Sequence, residues 1–398
     1  MIDPCRKSFK YKLDPTLEQQ AKLAWTLRRC CELYNAALQE RREAWRMRQV
    51  SISYYDQQNQ LPAIKALRPE YRDIHTHVLQ DVVRRLDTAM HAFFRRVKAG
   101  EKAGYPRFQG QNRYHSFTYG EYANGARLDG GVLSLSKIGR VALRLHRPLE
   151  GTPKTVTISR EADGWFACIS CTEVPCQPLP LTGQETGIDV GLKAFLTLAD
   201  GSQIANPRHE RKAEKALAKA ERRKDRRKKG SKRRRKAVLL LRKKHQKVAR
   251  QRRDFQHKTA LALVRQYDTI YLEELHIANL TKAPESKPDP EKPGHYLPNG
   301  ATAKAGLNKS IHDTGWYQFR TILVFKAAYA GKQAVAVPAA YTTQDCSGCG
   351  ERVQKSLSIR THVCPSCGLV LDRDENAALN ILRAGQARQG AGTVVLLR

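Results

Sequence analysis

The sequence lacks any apolar stretch long enough to cross a membrane. Its longest unbroken aliphatic run, Ala237 to Leu241, is far below the ~18 residues that a membrane span needs. The N-terminal residues 1–7 also lack the apolar segment that a secretory signal contains. We therefore expect a soluble cytoplasmic protein that has no membrane partner, and its 398 residues suggest two or three domains.

Acidic residues are scarce in one basic segment, residues 211–253. The whole chain carries 71 Lys and Arg against 38 Asp and Glu, a formal net charge of +33. More than half of the positions in 211–253 are basic, and only Glu214, Glu221 and Asp225 are acidic. Lys224–Lys236 contains no apolar residue, so the segment lacks the apolar face of a membrane-surface helix, and we predict that it binds nucleic acid. The alternative is a solvated helix, which normally mixes charges of both signs.

The basic segment also lacks asparagine, the side chain that pairs with adenine edges. We therefore expect it to lie along nucleic acid as a helical hairpin that contacts phosphates and does not read bases. The residues singled out for phosphate contact are Arg233, Arg234, Arg235 and Lys236.

Four cysteines have the spacing of a zinc site. Cys346 and Cys349 form one C-x2-C pair, and fourteen residues separate it from the second pair, Cys364 and Cys367. Two such pairs on tight turns can bind one tetrahedral zinc through four thiolates. Two disulfides are the alternative, but they need an oxidising compartment. We therefore predict a structural zinc ion here.

The N-terminal half alternates between strand and helix patterns. A strand is predicted at 7–13, and short alternating runs between about 115 and 178 predict a β-domain, most simply a small barrel. The N-terminal strand would join this β-domain, with the intervening helices as an insertion. The predicted helices are about 16–48, 57–67 and 76–99.

From about residue 186 onward, the pattern predicts three strands, a long helix, a strand, a helix, a strand and a final helix. This order is typical of an RNase H-like nuclease core, an α/β fold. The basic segment is expected as two long helices broken at Gly230–Ser231, and the Pro-rich stretch 283–300 as a mobile linker. The predicted strands are 187–192, 194–198, 202–205, 269–273 and 334–338. The other predicted helices are 311–330 and 374–383.

Acidic residues occur where a nuclease core would need them. Asp189 lies in an apolar strand, where a buried acid destabilises the fold, so its presence indicates a functional role. Glu273 ends a strand, although the adjacent Glu274 competes with it, and Asp374 begins a helix, where it could be an ordinary cap and where Asp372 competes. Three carboxylates that meet at one sheet edge repel each other unless cations join them. Two Mg²⁺ ions at such a site support phosphodiester cleavage.

Several segments together resemble the TnpB family, transposon-encoded proteins related to the type V CRISPR nucleases. The similarity covers most of the chain in the right order. The segments that resemble the three RuvC motifs of the family are Gly187–Leu192, Ile270–Leu275 and Asp372–Ile381. The segments that resemble its zinc module are Asp345–Gly350 and Cys364–Gly368, and those that resemble other parts are Leu307–Trp316, Phe93–Val97 and Gly104–Phe108.

The resemblance implies an architecture of the α/β class. An RNase H-like (RuvC) nuclease domain carries an inserted basic helical hairpin and a zinc ribbon, and a small β-barrel (wedge) domain with a helical recognition insertion precedes it. The implied ranges are 1–15 and 114–182 for the wedge domain, 16–113 for the recognition domain, 183–342 and 370–398 for the RuvC domain, about 207–266 for the basic insertion, and 343–369 for the zinc module.

The resemblance also implies roles for individual residues. Matched motif by motif, Asp189, Glu273 and Asp374 are the catalytic acids that bind two Mg²⁺ ions, because the third acid of the family directly precedes x-Asn-Ala-Ala. The four paired cysteines are matched to the ligands of one structural Zn²⁺. The segment Gly104–Phe108 is expected to be an aromatic and basic loop. Three of its residues are expected to contact nucleic acid, namely Tyr105, Arg107 and Phe108.

The implied function is that of a transposon-encoded, RNA-guided DNA endonuclease with a single RuvC site. Its partners would be a guide RNA from the transposon end and target double-stranded DNA, next to a short motif that the protein reads. It would act in the prokaryotic cytosol, associated with the nucleoid. One alternative is a guide-programmed DNA binder that does not cleave. Another is a DNA-binding accessory of transposition that works without RNA and would copurify with none.

Overall fold

The computed structural model describes residues 5–110, 113–292, 294–356 and 358–390. The chain divides between Pro175 and Cys176 into two compact units, and the predicted wedge range 114–182 runs past this division. Residues 1–4 and 391–398, the ends of the predicted wedge and RuvC domains, lie outside the described residues. A search of the described residues finds no helix with the length and apolarity of a membrane span.

Seven antiparallel strands form the sheet of the N-terminal unit. They are β1 (Cys5–Asp14), β2 (Ser116–Tyr119), β3 (Ala126–Asp129), β4 (Val132–Leu135), β5 (Gly139–Arg144), β6 (Thr152–Glu161) and β7 (Gly164–Val174). Their order in the sheet is β2–β6–β7–β1–β5–β4–β3, so the N-terminal strand joins the β-domain as predicted. Among the described residues the ladder has two edges, β2 and β3, so its hydrogen bonds do not close it into the predicted barrel. The edge strand β3 is only four residues long and pairs with β4.

Strict alternation gives β1, the central strand of this sheet, one buried face. Phe9, Tyr11 and Leu13 are buried, whereas the lysines between them are only partly buried. Successive strand side chains point to opposite faces, so all three apolar residues share the face that forms the core. Opposite them on β7 lie the buried residues Ile169 and Ala167.

The helices inserted between β1 and β2 begin with the predicted cap. The Thr16 side chain accepts the backbone N–H of Gln19, and the Gln19 side chain accepts that of Thr16, a reciprocal capping box. The predicted helix 57–67 is in fact two helices, and Pro62 lies in the first turn of the second, where its missing N–H breaks no hydrogen bond. The helices are α1 (Leu17–Arg48), α2 (Tyr54–Asn59), α3 (Leu61–Leu67) and α4 (Thr76–Lys98), with a 3-10 helix at Pro69–Asp73.

The C-terminal unit is built on a mixed five-stranded sheet. The strands of the whole unit, including two short two-stranded pairs, are listed here in chain order: β8 (Glu185–Val190), β9 (Ala194–Leu198), β10 (Gln203–Ala205), β11 (Thr269–Glu273), β12 (Lys287–Pro288), β13 (Tyr296–Leu297), β14 (Gln333–Val337), β15 (Thr361–Val363) and β16 (Val370–Asp372). The main sheet has the order β10–β9–β8–β11–β14. Strands β8, β11 and β14 are parallel, and β9 is antiparallel to both of its neighbours. The predicted order of three strands, long helix, strand, helix, strand and helix is therefore observed.

Helices cover both faces of this sheet. The helices of this unit are α5 (His209–Asp225), α6 (Lys232–Gln266), α7 (Ile277–Leu280), α8 (Ala301–Thr314), α9 (Trp316–Tyr329) and α10 (Arg373–Gly390), of which α6, α9 and α10 pack on the sheet. Ile188, Ile270 and Leu272 point to one face, where they pack in a core with residues of α6 and α9. Tyr271 and its neighbours on β14 point to the other face, where they pack against Ile381 of α10.

Two glycines allow α10 to lie directly on the sheet. A Cβ atom at Gly187 of β8 would overlap the backbone of α10 at Ala378, and one at Gly385 of α10 would overlap the ring of Tyr271. Any larger residue at either position would push the helix away from the sheet. These close approaches determine where the first turn of α10 lies.

The structure corrects three predicted segments. The single helix predicted at 311–330 is two helices, because Gly315 between them adopts a left-handed φ of 65°. The stretch 283–300, predicted to be a linker, contains the short antiparallel pair β12–β13. The final helix continues to Gly390 and is longer than the predicted 374–383.

Candidate functional site

Two parallel strands carry acids at their carboxyl ends, on the face that α10 covers. Gly187 of β8 and Tyr271 of β11 both contact α10. Asp189 lies two residues after Gly187, and Glu273 lies two residues after Tyr271. Since strand residues two apart share a face, both acids lie on the face that α10 covers. Gly187 and Tyr271 are register partners, so the two acids end neighbouring strands at the same edge. Asp374 lies in the first turn of α10. The structure thus brings together the three acids predicted from the sequence.

Burial raises the pKa of two of these acids, Asp189 and Glu273. Burial, followed by the charges of Glu273 and Asp374, raises the pKa of Asp189 to about 8. Burial also raises the pKa of Glu273, against the effect of a hydrogen bond that its carboxylate accepts from the Thr342 hydroxyl. Groups that repel one another in this way fit a site for hard divalent cations, which oxygen ligands bind. Among the described residues, the group of side chains already close enough to hold one metal ion together is the four cysteines discussed below, and these acids do not form such a group.

Two arginines partly neutralise the third acid. The Arg373 guanidinium donates from Nε and Nη2 to Oδ1 of Asp374, at 3.3 and 3.2 Å. Arg360, from the segment between the two cysteine pairs, lies 3.8 Å from the other carboxylate oxygen. Asp374 is therefore a buried carboxylate with two cationic neighbours.

The competing acids have other contacts. The side chain of Glu274 is half exposed and lies 3.7 Å from Arg320. The Asp372 carboxylate accepts the backbone N–H of Asp374 at 2.8 Å, so the acid that caps the start of α10 is Asp372. Asp372 also contributes, less than the other two acids, to the raised pKa of Asp189.

The four paired cysteines form one compact cluster. Their sulfur atoms all lie within 4.8 Å of one another, with 3.6 Å between Cys346 and Cys367 and between Cys349 and Cys364. A tetrahedral zinc with Zn–S bonds of about 2.3 Å requires sulfurs about 3.8 Å apart, so the arrangement fits this metal. The backbone N–H of Cys367 is the main cause that lowers the pKa of the Cys364 thiol to about 6. The backbone N–H groups that lower the pKa values of Cys349 and Cys367 are outweighed by burial and by hydrogen bonds with the neighbouring sulfurs, so both pKa values are raised. Four thiols in such close contact cannot all ionise unless a cation joins them.

Two asparagines that the sequence analysis did not single out connect this cluster to the acidic site. Asn376 and Asn380 lie one helical turn apart on α10, and both donate hydrogen bonds to the backbone at Asp345, next to Cys346. Asn376 is fully buried. The i, i+4 spacing of two asparagines in the last motif was the available clue, since such residues face the same side of a helix.

The predicted basic hairpin is present, and its arginines are not equivalent. Helices α5 and α6 pack through a small apolar core that includes Leu217 and Leu241. Arg233 and Lys236 are exposed. In contrast, the half-buried Arg234 donates to the carbonyls of Lys224 and Arg227, each at 2.9 Å, and Arg235 donates to that of Gly230 at 3.2 Å. The latter two arginines therefore stabilise the turn between the helices.

The hairpin also has a basic concave surface near its turn. Five basic side chains of α5 and the turn surround a space of about 560 Å³. They are Lys219, Arg222, Arg223, Arg226 and Arg227. A concave surface lined in this way attracts phosphate groups.

In the N-terminal unit, the three predicted loop residues lie in a concave surface of about 700 Å³. Tyr105 and Phe108 are exposed aromatic residues beside Arg107. Trp45 of α1, together with the nearby Arg42 and Arg46, lines the same surface. The sequence analysis missed these three residues because they are distant from the loop in the chain.

Comparison with protein families gives three matches along the chain. A family described as "Probable transposase" matches residues 168–283, a "Cas12f1-like, TNB domain" matches 316–381, and a "Helix-turn-helix domain" matches 1–49. Within the last range the described residues form one strand and one helix, β1 and α1. Together the matches define a transposase-related protein with a Cas12f1-like TNB domain.

Full-length relatives identify the family more closely. A "Putative RNA-guided DNA endonuclease" of Streptomyces pristinaespiralis is 34% identical, covering 98% of this chain and 92% of the relative. "Putative RNA-guided DNA endonuclease InsQ" of Escherichia coli K12 is 30% identical, covering 98% and 94%. The chain belongs to this family of transposon-encoded RNA-guided DNA endonucleases, the TnpB family, as the resemblance implied. Among solved structures, a "mini-RNA-guided endonuclease CRISPR-Cas_phi3" is 10% identical with a TM-score of 0.47, covering 96% of this chain and 93% of that one.

Proposed function

We propose that this chain is an RNA-guided nuclease that cleaves DNA at a RuvC-type, RNase H-like site formed by Asp189, Glu273 and Asp374. The observation that carries the proposal is the meeting of three acids from two parallel strand ends and a helix start. Asp189 at their centre has a strongly raised pKa. Such an acid is destabilising unless cations bind it, so the cluster is best explained as a metal site.

The residues of this site would have different roles in metal binding and cleavage. Mg²⁺ ions held by the three carboxylates would stabilise the attacking and leaving oxygens of a phosphodiester. Asp189, on the middle strand of the sheet, is affected by the charges of both other acids and would contribute to holding both Mg²⁺ ions. The Thr342 hydroxyl holds the Glu273 carboxylate, and Arg373 and Arg360 adjoin the buried Asp374, where they could also meet substrate phosphate.

The remaining features supply structure and binding. The four cysteines would hold one structural zinc ion, and the basic hairpin with Arg233 and Lys236 would lie against nucleic acid phosphates. Tyr105 and Phe108 would stack on nucleobases, with Arg107 beside them. The partners are a guide RNA from the transposon end and target double-stranded DNA, in the cytoplasm of a prokaryotic cell where the nucleoid is accessible.

We also propose that the units correspond to the domains inferred from the sequence. The seven-stranded sheet would be the wedge domain, and α1–α4 its recognition insertion. The mixed sheet would be the RuvC domain, with α5 and α6 as its basic insertion and 343–369 as its zinc module. In this arrangement the N-terminal unit would read the short flanking motif, while base pairing reads the target sequence.

The test compares the wild-type protein with Asp189→Ala, each loaded with guide RNA. The variant should lose Mg²⁺-dependent cleavage of a matched duplex and keep RNA-dependent DNA binding, because affinity comes from many phosphate contacts elsewhere. Asp129→Ala, an exposed acid on β3, is the matched control. Equal loss of binding in Asp189→Ala would mean that the residue is structural.

The same experiment separates the alternatives. RNA-dependent binding of the wild-type protein without cleavage at any Mg²⁺ concentration would indicate a guide-programmed DNA binder. DNA binding by a preparation from which no RNA copurifies would indicate an accessory of transposition that works without a guide. Sequencing the copurified nucleic acid would distinguish these two outcomes.

A further inference from the structure

The segment that begins the four-cysteine module is held on α10 by hydrogen bonds to two side chains. The Asn376 amide donates to the carbonyl of Asp345 at 2.8 Å and accepts the backbone N–H of Ser347 at 2.9 Å. The Asn380 amide donates to the carbonyls of Thr342 and Asp345, at 2.8 and 2.6 Å. Cys346 lies between two of the bonded residues, so the first cysteine pair is fixed directly to the helix.

The same segment contacts the acidic site at its other end. Thr342, whose carbonyl Asn380 binds, donates its hydroxyl to the Glu273 carboxylate and is itself buried. The helix that carries both asparagines also carries Asp374 in its first turn. A continuous set of hydrogen bonds therefore runs from the cysteine cluster through α10 and Thr342 to Glu273.

The side-chain amides of both asparagines pair with backbone polar groups of the segment. Without these partners, the buried amide of Asn376 would destabilise the fold. Asn376 is fully buried, and in the described residues it satisfies a donor and an acceptor of the segment at once. A buried amide without partners is destabilising, so this pairing specifies one position of the segment against the helix. A helix whose only task was to pack on the sheet would need no asparagine here.

We propose that Asn376 and Asn380 are positioning residues for the metal-binding acids. They hold the segment 342–347 so that Thr342 keeps the Glu273 carboxylate turned toward Asp189 and Asp374. Through them, the folded cysteine module determines the geometry of the acidic site. This inference rests on the proposed function, because it assumes that the acids bind divalent cations.

The test measures metal binding directly as well as cleavage. Mn²⁺ is titrated into wild-type protein and into Asn380→Ala and Thr342→Val, and bound Mn²⁺ is followed by electron paramagnetic resonance. Partners that orient a metal-binding side chain typically contribute 10–100-fold to metal affinity, so we expect the Mn²⁺ dissociation constant to rise about tenfold in both variants. Zinc content, measured by mass spectrometry, should remain that of the wild type, because the four thiolates are unchanged.

Conservative variants distinguish positioning from simple structural support. Thr342→Ser keeps the hydroxyl and should bind Mn²⁺ as the wild type does, whereas the nearly isosteric Thr342→Val should not. Asn59→Ala, an exposed asparagine of the N-terminal unit, is the matched control and should change nothing. In Asn380→Ala and Thr342→Val, the Mg²⁺ concentration for half-maximal cleavage should rise in parallel with the Mn²⁺ dissociation constant.

Two results would overturn the inference. Wild-type Mn²⁺ affinity in both Asn380→Ala and Thr342→Val would show that the hydrogen bonds do not position the acids. Loss of zinc and of thermal stability in Asn380→Ala, with unchanged Mn²⁺ affinity in Thr342→Val, would show that the asparagines only anchor the cysteine module. A wild-type chain that neither binds Mn²⁺ nor cleaves would instead contradict the proposed function itself.

Discussion

The carboxylate of Asp372 accepts the backbone N–H of Asp374 at 2.8 Å, at the point where α10 begins. One acid thus caps the helix, which leaves the carboxylate of the other free of that task. Asp374 is buried and contributes to the raised pKa of Asp189, and its contribution exceeds that of Asp372. Two acids that the sequence presents as competitors therefore occupy different environments.

We predict that Asp374→Asn abolishes cleavage and that Asp372→Asn preserves most of it. Asparagine is as good a helix cap as aspartate, so the second variant keeps the hydrogen bond to Asp374. The first variant removes a charge that the metal site needs. Cleavage rates of the RNA-loaded variants at saturating Mg²⁺ check this. A larger loss in Asp372→Asn would reverse the assignment.

We predict that Asp189→Asn stabilises the protein when Mg²⁺ is absent. The pKa of Asp189 is raised from 3.8 to about 8, so its ionisation opposes folding increasingly as the pH rises from about 4 to about 8. The variant should gain up to about 4 kcal/mol at pH 7 and almost nothing at pH 4. Thermal unfolding without added Mg²⁺, and without a chelator that would remove zinc, measures the difference.

Added Mg²⁺ provides the control for that pH dependence. Metal binding displaces protons from its ligands, so saturating Mg²⁺ should abolish the advantage of the variant by stabilising only the wild type. The acid limb of the cleavage rate should also move to lower pH as the Mg²⁺ concentration rises. An Asp189→Asn variant that is less stable than the wild type at pH 7 without Mg²⁺ would contradict the prediction.

We predict that Cys346→Ser and Cys367→Ser each lose bound zinc and cleavage. The side chains of Ile359 and Val363, between the cysteine pairs, are exposed and so add little to a core. Zinc binding supplies the folding free energy of such segments. Zinc per chain, measured by mass spectrometry, and cleavage rates provide the readout. Cys168→Ser changes a half-buried strand cysteine outside the cluster and should retain both. Wild-type protein without zinc would exclude this role.

We predict that Arg233 and Lys236 contribute to nucleic-acid affinity, whereas Arg234 contributes to the fold of the hairpin. The double variant Arg233→Ala/Lys236→Ala should flatten the slope of log affinity against log salt by about two units, roughly one per lost phosphate contact. Arg234→Ala should lower the thermal stability of the protein, because the carbonyls of Lys224 and Arg227 lose their shared donor.

The salt dependence also tests whether the hairpin touches nucleic acid at all. Binding of matched and unmatched targets is measured between 50 and 200 mM salt, a range chosen because phosphate contacts have large effects there. The double variant should weaken both kinds of binding about equally. A wild-type slope in the double variant would mean that the hairpin is a solvated structure.

The sequence is most informative where the direct neighbours of a residue in the chain are enough to identify its role. Asp189 could be identified because an acid between Ile188 and Val190 has no ordinary reason to be there. The choice between Glu273 and Glu274 could not be made from periodicity, since both follow an apolar strand. It depends on which residue of β11 faces α10, and the close approach of Gly385 to Tyr271 determines that face.

Other features depend on contacts between distant residues. Asn376 and Asn380 look like ordinary polar residues of a helix, because their partners at 342–347 lie 29 to 38 residues earlier in the chain. Trp45 likewise meets Tyr105 only through folding of the helical insertion. The break at Gly315 was missed because a single glycine within an apolar helical pattern is often tolerated.

The seating of α10 through Gly187 and Gly385 has a consequence for insertions and deletions. Gly385 lies eleven positions, about three helical turns, after Asp374, so both lie on the same side of the helix. One residue added between them would rotate the acid about 100° around the helix axis while every secondary-structure element could still form. Natural length variation in this family should therefore fall in loops such as 283–300, and the segment 374–385 should behave as a spacer of invariant length.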